Sequence, residues 1–248
     1  MRGAAARPGS EVIWHDAECG GYAADLPIWE QLAAEAPSRE ILDLGAGTGR
    51  VSLHLAERGY SVTAIDRDPQ LLAALATRAA ERGLEVTTER GDVKGLALAR
   101  RYGLIIAPMQ FMHLLGGSRG RGRALRAIRM HLAPSGRFYA ALLDDARPLS
   151  SGTPSPLPDV RQIGGWIHSS LPLEVRASPE GVVVARLRQL VSPGGELSEN
   201  RISVHLDELG IDRFEQEAAT LGYTVLPRLQ VAESEDHVGS VLAGLGLP

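Results

Sequence analysis

The chain has a single cysteine, Cys19, so it can form no internal disulfide and no cysteine-based metal cluster. That scarcity fits a reducing compartment, and a cytoplasmic location is the expectation. No apolar run approaches the ~20 residues that a membrane-spanning helix needs, so no membrane partner is expected. Residues 1–10 hold Arg2 and Arg7 without an apolar core, which is not the pattern of a secretory signal. Positive charge is not in excess. The 26 Lys and Arg stand against 30 Asp and Glu, and a net charge of −4 argues against a broad nucleic-acid surface. Lysine is almost missing, with Lys94 the only one. His15, Asp16 and Glu18 show no metal-ligand spacing, and no metal site is expected. What remains is a chain of 248 residues with 44% hydrophobic content, enough for one large domain with a full core.

The most informative stretch is Ile41-Leu42-Asp43-Leu44-Gly45-Ala46-Gly47-Thr48-Gly49-Arg50. It begins as a buried strand, turns through three alternating glycines, and continues as a helical pattern from Val51. Glycine admits positive φ and lets a ligand lie against bare backbone. The helix that follows points unpaired N–H groups at whatever sits above the turn. A second apolar strand, residues 61–65, ends in Asp66, and a third, residues 85–89, is followed by Gly91-Asp92-Val93. Strand, glycine turn, helix and strand-end acid make a nucleotide-type ligand site. A nicotinamide fingerprint would place its third glycine one position later, where this chain has Arg50.

Residues 38–145 alternate between strand and helix patterns, which predicts a parallel sheet with helices on both faces. Strands are expected near 40–44, 61–65, 84–89, 103–107 and 136–143, and helices near 49–58, 69–82 and 120–133. Pro69 suits the first turn of its helix, with Asp68 as N-cap. Ahead of this region Tyr22, Leu26, Trp29 and Leu32 recur at helical spacing, after a Gly20-Gly21 pair that would serve as a hinge. Residues 116–129 hold five arginines; the glycines there read as a flexible loop and the remainder as a solvated helix face. A Pro-rich connector at 146–160 leads to strand patterns at 163–170, 173–176, 182–190 and 201–206, with the alternation of a half-exposed antiparallel sheet. A helix at 207–221, capped by Gly222, precedes two last strands at 223–226 and 236–243.

On Asp43, Gly45, Gly47 and Gly49, on Asp66 after the second strand and on Asp92 after the third, the chain resembles the class I S-adenosylmethionine-dependent methyltransferases. The resemblance covers about residues 38–145 well and the rest loosely. It implies an α/β fold: a doubly wound, seven-stranded Rossmann-like methyltransferase sheet, with a small antiparallel β insert between the fifth and sixth core strands. The whole of 1–248 is then one domain. Residues 1–37 would be an N-terminal lid helix, 38–145 the cofactor-binding core, 146–206 the strand-rich insert and 207–248 the completion of the sheet.

The resemblance also implies a cofactor, S-adenosylmethionine, with S-adenosylhomocysteine as product. Asp43 would lie near the amino end of the methionine moiety, Gly45, Ala46 and Gly47 under the cofactor, and Asp66 at the ribose hydroxyls. Arg67 would stack on adenine, Asp92 and the N–H of Val93 would bind its edge, and Tyr22 would close over the site. Pro108, Met109 and Gln110, at the end of the fourth strand, would border cofactor and acceptor. The DNA-methylating classes carry an Asp/Asn-Pro-Pro-Tyr/Phe turn or a Pro-Cys there, and Ala107-Pro108-Met109-Gln110 is neither. Asp144 and Asp145 are the only acids near a catechol-type metal position. A small-molecule N- or O-methyltransferase is therefore expected, with an amine or hydroxyl acceptor, His113 as general base, and Trp29, Gln110 and Trp166 at the acceptor. His168, Arg186 and Arg188 are further pocket candidates. A homodimer through the insert is the expected assembly. The alternatives are a non-catalytic S-adenosylmethionine-binding protein and a nicotinamide-dependent oxidoreductase.

Overall fold

The computed structural model describes residues 10–143, 157–178, 180–233 and 239–248. Two short helices come first, α1 (Glu11–Cys19) and α2 (Leu26–Ala34). The alternating region follows: β1 (Glu40–Leu44), α3 (Arg50–Ala56), β2 (Ser61–Asp66), α4 (Pro69–Glu81), β3 (Val86–Arg90), β4 (Tyr102–Ala107), α5 (Gly117–His131) and β5 (Leu132–Leu143). The insert is β6 (Asp159–Ile163), β7 (Trp166–Ser178), β8 (Gly181–Val191) and β9 (Leu197–Asp207). The chain then returns through α6 (Ile211–Thr220), β10 (Thr224–Val231) and β11 (Ser240–Gly246).

The main sheet has seven strands in the order β10-β11-β5-β4-β1-β2-β3, with β11 antiparallel to both neighbours and the other pairings parallel. The order reverses between β1 and β4, and the crevice at their carboxyl ends is where such sheets hold ligands. Central strands β1 and β4 are almost wholly buried, as apolar runs covered on both faces must be. Leu42, Leu44, Ile105 and Phe138 pack on one face, with Ala124, Leu125 and Ile128 of α5 and Phe214 of α6. Ile41, Leu104, Ile106 and Tyr139 pack on the other, with Trp29 of α2 and Val51 and Leu55 of α3. As expected, α4 opens on Pro69, and the Asp68 carboxylate accepts the Gln70 N–H at 2.7 Å.

The four-stranded sheet, in the order β6-β7-β8-β9, lies between the fifth and sixth core strands in sequence. The expected break between 170 and 173 does not occur. β7 runs unbroken for 13 residues and absorbs Pro172 in a register shift against β8, the position where a strand tolerates proline. The expected single strand at 163–170 is instead split by Gly164-Gly165, whose φ values of 58° and 81° make a two-residue hairpin turn. Strand β7 leaves Ile167, Leu173 and Val175 exposed, and the outer strand β9 leaves Leu197 exposed.

Two expectations near the helices are corrected. Tyr22 precedes α2 rather than lying on it, because Pro27 and the Asp25 cap set the helix start. Helix α5 begins at Gly117, so the glycine-rich stretch is helical. A side chain at Gly120 would lie 1.7 Å from the Leu115 carbonyl oxygen, so only glycine permits this close turn. Arg121 does not belong to a solvated face. It is fully buried and pairs bidentately with Glu217 at 2.8 Å through both contacts, while Asp207 accepts the Gly117 N–H at 2.6 Å. The connector at 144–156, with Asp144 and Asp145, and part of the expected strand at 236–243 lie outside the described residues.

Removing one partner of a buried pair leaves the other charge stranded, at a typical cost of about 3–5 kcal/mol. Glu217→Ala is expected to lose up to about that much stability in urea unfolding, because Arg121 has no route to solvent and keeps only the Asp207 carboxylate, 3.5 Å away. A loss well below 1 kcal/mol, the scale of an exposed pair, would show that Arg121 reaches water.

Candidate functional site

The turn after β1 carries Gly45, Gly47 and Gly49 at φ values of 69°, 56° and 91°. Side chains are excluded there by neighbours as well as by conformation. A Cβ on Gly45 would meet the Phe111 ring at 2.3 Å, one on Gly47 the His15 imidazole at 2.3 Å, and one on Gly49 Leu75 at 2.1 Å. The turn is tied to the next strand twice: Ala46 N–H donates to the Ile65 carbonyl, and Gly47 N–H to Asp66 Oδ2, each at 2.9 Å. The other Asp66 oxygen accepts the Asp68 N–H at 2.9 Å. Asp66 is only half-buried, and each carboxylate oxygen keeps accepting capacity beyond these single bonds.

Asp43 sits at the end of β1 on the same crevice and is 1% exposed. Its Oδ2 accepts the Ser52 hydroxyl of α3 at 2.6 Å, whereas its Oδ1 is buried with no partner among the described residues. Burial dominates its ionisation and pushes its pKa up to about 7, against the lowering effect of Ser52 and Arg50. An orphaned, buried carboxylate oxygen is a costly feature that a cationic or N–H-bearing ligand would satisfy.

Beyond the second and third strands lie the residues expected at the adenine. Arg67 is exposed. Asp92 caps a short 3-10 turn at 93–95, accepting the Lys94 N–H at 2.9 Å. Slight burial would raise its pKa, but the Lys94 N–H and ammonium lower it. The Val93 side chain is buried in the core. On the other side of the crevice β4 leads into Pro108, Met109 and Gln110, all half-buried. Met109 takes a φ of 55°, a left-handed conformation that non-glycine residues adopt at a cost and that clusters at functional sites.

Two expected roles are corrected by the packing. His113 is 2% exposed, and both ring nitrogens are engaged. Nδ1 lies 2.9 Å from the Asp207 carbonyl oxygen, and Nε2 accepts the Leu143 N–H at 3.3 Å. A carbonyl only accepts and an N–H only donates, so the proton belongs on Nδ1 and the Nε2 lone pair is taken. His113 is a strut between β5 and β9, not an accessible base. Trp29 has zero exposure, packs in the core under β1 and donates from Nε1 to Asp25 at 2.8 Å, so it is a packing residue and not an acceptor wall. Trp166 stands half-buried at the β6–β7 hairpin tip, next to Gly165, whose Cβ would touch Pro193.

Several pairings emerge only from the structure. Tyr22 is buried, with the Arg50 guanidinium 5.0 Å from its ring centroid; Arg50 also pairs with Asp25 at 2.5 Å. Arg186 and Arg188 are held in ion pairs, and Arg188 also lines a cleft with Glu11, Trp14 and Leu190. Arg188 pairs with Glu18 at 2.8 Å and with Glu11 at 3.0 Å, and Arg186 pairs with Asp159. His168 is buried edge-on to Trp14. No short-range pattern in the chain announces these pairs, since Glu18 and Arg188 are 170 residues apart.

The Asp43 carboxyl ionises near pH 4 when unfolded and near 7 when folded. Between those values the folded state binds more protons, so this residue's contribution to stability falls as pH rises and is flat above about 7. Relative to Asp43→Asn, the wild type is expected to lose on the order of 2 kcal/mol between pH 5 and 8 in urea unfolding. A difference independent of pH would place an ionised carboxylate there throughout.

The family described as "Methyltransferase domain" matches residues 41–136, the stretch that builds this crevice. The cypemycin N-terminal methyltransferase of Streptomyces sp is 31% identical over 123 residues, 50% of this chain and 49% of that protein. The chain thus spans about half the length of that curated relative. Among solved structures, the sugar N-methyltransferase KedS8 from Streptoalloteichus sp ATCC 53650 superposes with a TM-score of 0.75 at 17% identity, over 99% of this chain and 96% of that one. The S-adenosylmethionine-bound amino pentose methyltransferase CalS10 from Micromonospora echinaspora gives a TM-score of 0.74 at 17% identity, over 94% and 96%. Residues 41–136 thus match the methyltransferase-domain family, and the chain has the fold of these solved methyltransferases.

Proposed function

We propose that the protein transfers a methyl group from S-adenosylmethionine to an amine of a small molecule. The observation that carries the cofactor half is the buried Asp43 Oδ1, which has no partner among the described residues, beside a glycine turn clamped by Asp66. That donor set fits the cofactor: an acid for its ammonium, bare backbone beneath it, and a strand-end acid for its ribose. Bound there, S-adenosylmethionine would supply a sulfonium-borne methyl group, with S-adenosylhomocysteine as the leaving product. Asp92, the Val93 N–H and Arg67 would hold the adenine. Pro108, Met109 and Gln110 would form the wall shared by cofactor and acceptor, which sets alignment and keeps water out.

An amine is favoured over a hydroxyl by the fate of His113. A hydroxyl needs a base to become a competent nucleophile, and the Nε2 lone pair of His113 is already committed to Leu143. The neutral form of an amine carries its own lone pair and needs only positioning. The name of the similar sugar N-methyltransferase KedS8 states N-methylation and supports the same choice. A hydroxyl acceptor is the second reading, and a non-catalytic cofactor-binding protein the third.

Calorimetric titration with S-adenosylmethionine and S-adenosylhomocysteine, with NADH as control, tests the cofactor half. Micromolar binding of the first two and none of the third is expected. Binding of NADH alone would replace this reading with a nicotinamide one. Asp66→Ala is expected to weaken S-adenosylhomocysteine by on the order of 1.5–3 kcal/mol, the scale of a hydrogen bond to a charged group. Unchanged affinity would remove the ribose assignment.

A further inference from the structure

Helix α1 has nine residues, too few to hold itself in place without tertiary anchors. Its two most buried acids, Glu18 and Asp16, anchor it on different sides. Toward the insert, Glu18 accepts the Ser170 hydroxyl at 2.7 Å and Arg188 Nε at 2.8 Å. Toward the core, Asp16 is 5% exposed and accepts three groups: the Thr48 hydroxyl at 2.8 Å on Oδ1, Arg78 Nη1 at 2.8 Å on the same oxygen, and Arg78 Nη2 at 2.5 Å on Oδ2. Thr48 lies in the glycine turn and Arg78 in α4, so one carboxylate joins helix, turn and α4. Burial would raise its pKa, but the hydrogen bonds from Arg78 and Thr48 hold it below the ordinary carboxylate value.

Between the two anchors stands His15. Its Nδ1 is 3.2 Å from the Thr48 hydroxyl, and its ring fills the space that a side chain on Gly47 would take. The N–H of that same glycine is the one Asp66 holds. After α1 the backbone passes through Gly20, where a Cβ would lie 2.6 Å from the Asp16 carbonyl, and Gly21, which has open space around it. The helix is therefore followed by a pivot and kept on the turn by polar contacts that one residue centres.

We propose that Asp16 is a positioning residue of the cofactor site: it seats α1 on the glycine turn through Thr48 and Arg78, and so sets the His15 ring against Gly47. This rests on the cofactor reading above. Asp16 touches neither cofactor nor acceptor. It fixes the wall beside the cofactor backbone, and with it how long a bound cofactor stays. The partnership with Glu18 carries the same seating to the insert, so the wall and the insert share one helix.

The test uses the full chain and S-adenosylhomocysteine. Asp16→Asn keeps the side-chain size and one acceptor but removes the charge that Arg78 pairs with. It is expected to bind S-adenosylhomocysteine about tenfold more weakly, chiefly through faster dissociation in stopped flow. Asp16→Glu, which restores the charge, is expected to recover part of the affinity. In the wild type the ligand should slow amide hydrogen exchange over residues 11–19, and in Asp16→Asn that protection should fade while the rest of the sheet stays protected. A folded Asp16→Asn with wild-type affinity and dissociation rate overturns the proposal. Should that variant fail to fold, Thr48→Val removes only the hydroxyl and decides the matter by the same readouts, faster dissociation supporting the role and an unchanged rate overturning it. A wild type that binds no S-adenosylhomocysteine overturns the cofactor reading and this role together, whereas normal wild-type binding with unaltered variants sinks this role alone.

Discussion

The turn between β1 and α3 has no room for a side chain at any of its three glycines. Phe111, His15 and Leu75 occupy the three spaces, and each comes from a different part of the chain. Conformation and packing thus demand glycine for independent reasons. Because the turn is pinned by Asp66 and Ile65 from the adjoining strand, the end of β1 and the end of β2 cannot shift relative to each other. The orphaned Asp43 oxygen, the start of α3 and the seat of α1 all take their positions from that fixed point.

Much of the region from β1 to α4 was legible because its signals are local. An apolar run that ends in glycines, a strand that ends in an acid, and a proline one residue after a capping aspartate each act within a few residues, and the structure places them as read. The misreadings share a cause. Trp29 looked like a pocket aromatic because an amphipathic stripe does not tell which of its members is buried to zero exposure. His113 looked like a base because chain neighbours do not reveal that Asp207, 94 residues away, takes one of its nitrogens. The start of α5 looked flexible because glycine weakens a helix on average, whereas here Asp207 and Glu217 supply partners from the far end of the chain.

The apolar and polar parts of the molecule divide the work of holding it together. The seven-stranded sheet is sealed by hydrophobic clusters on both faces. The joints of α1 to the core and to the insert are instead made of arginines and acids: Arg78 with Asp16, Arg188 with Glu18 and Glu11, Arg186 with Glu18. Arginine suits such joints, because its planar fork meets a carboxylate with two parallel bonds and is less strongly hydrated than an ammonium. Polar joints hold direction without the slippage of an apolar interface, and half-exposed ones weaken with salt.

The place of β11 has a consequence for how the sheet assembles. Residues 137–143 of β5 pair with 240–246 of β11, and β10 reaches the sheet only through β11. The parallel strands on the other side of β5 are joined by crossovers of ordinary length, but this pairing closes a loop of roughly a hundred residues, including the whole four-stranded insert. Contacts that distant in sequence are slow to find. Until β11 arrives, β5 presents an open edge of buried, apolar sequence, the kind of edge on which two refolding chains stick. The insert therefore sets a kinetic toll on folding: chains crowded together during that interval would be trapped by one another, and dilution would favour recovery.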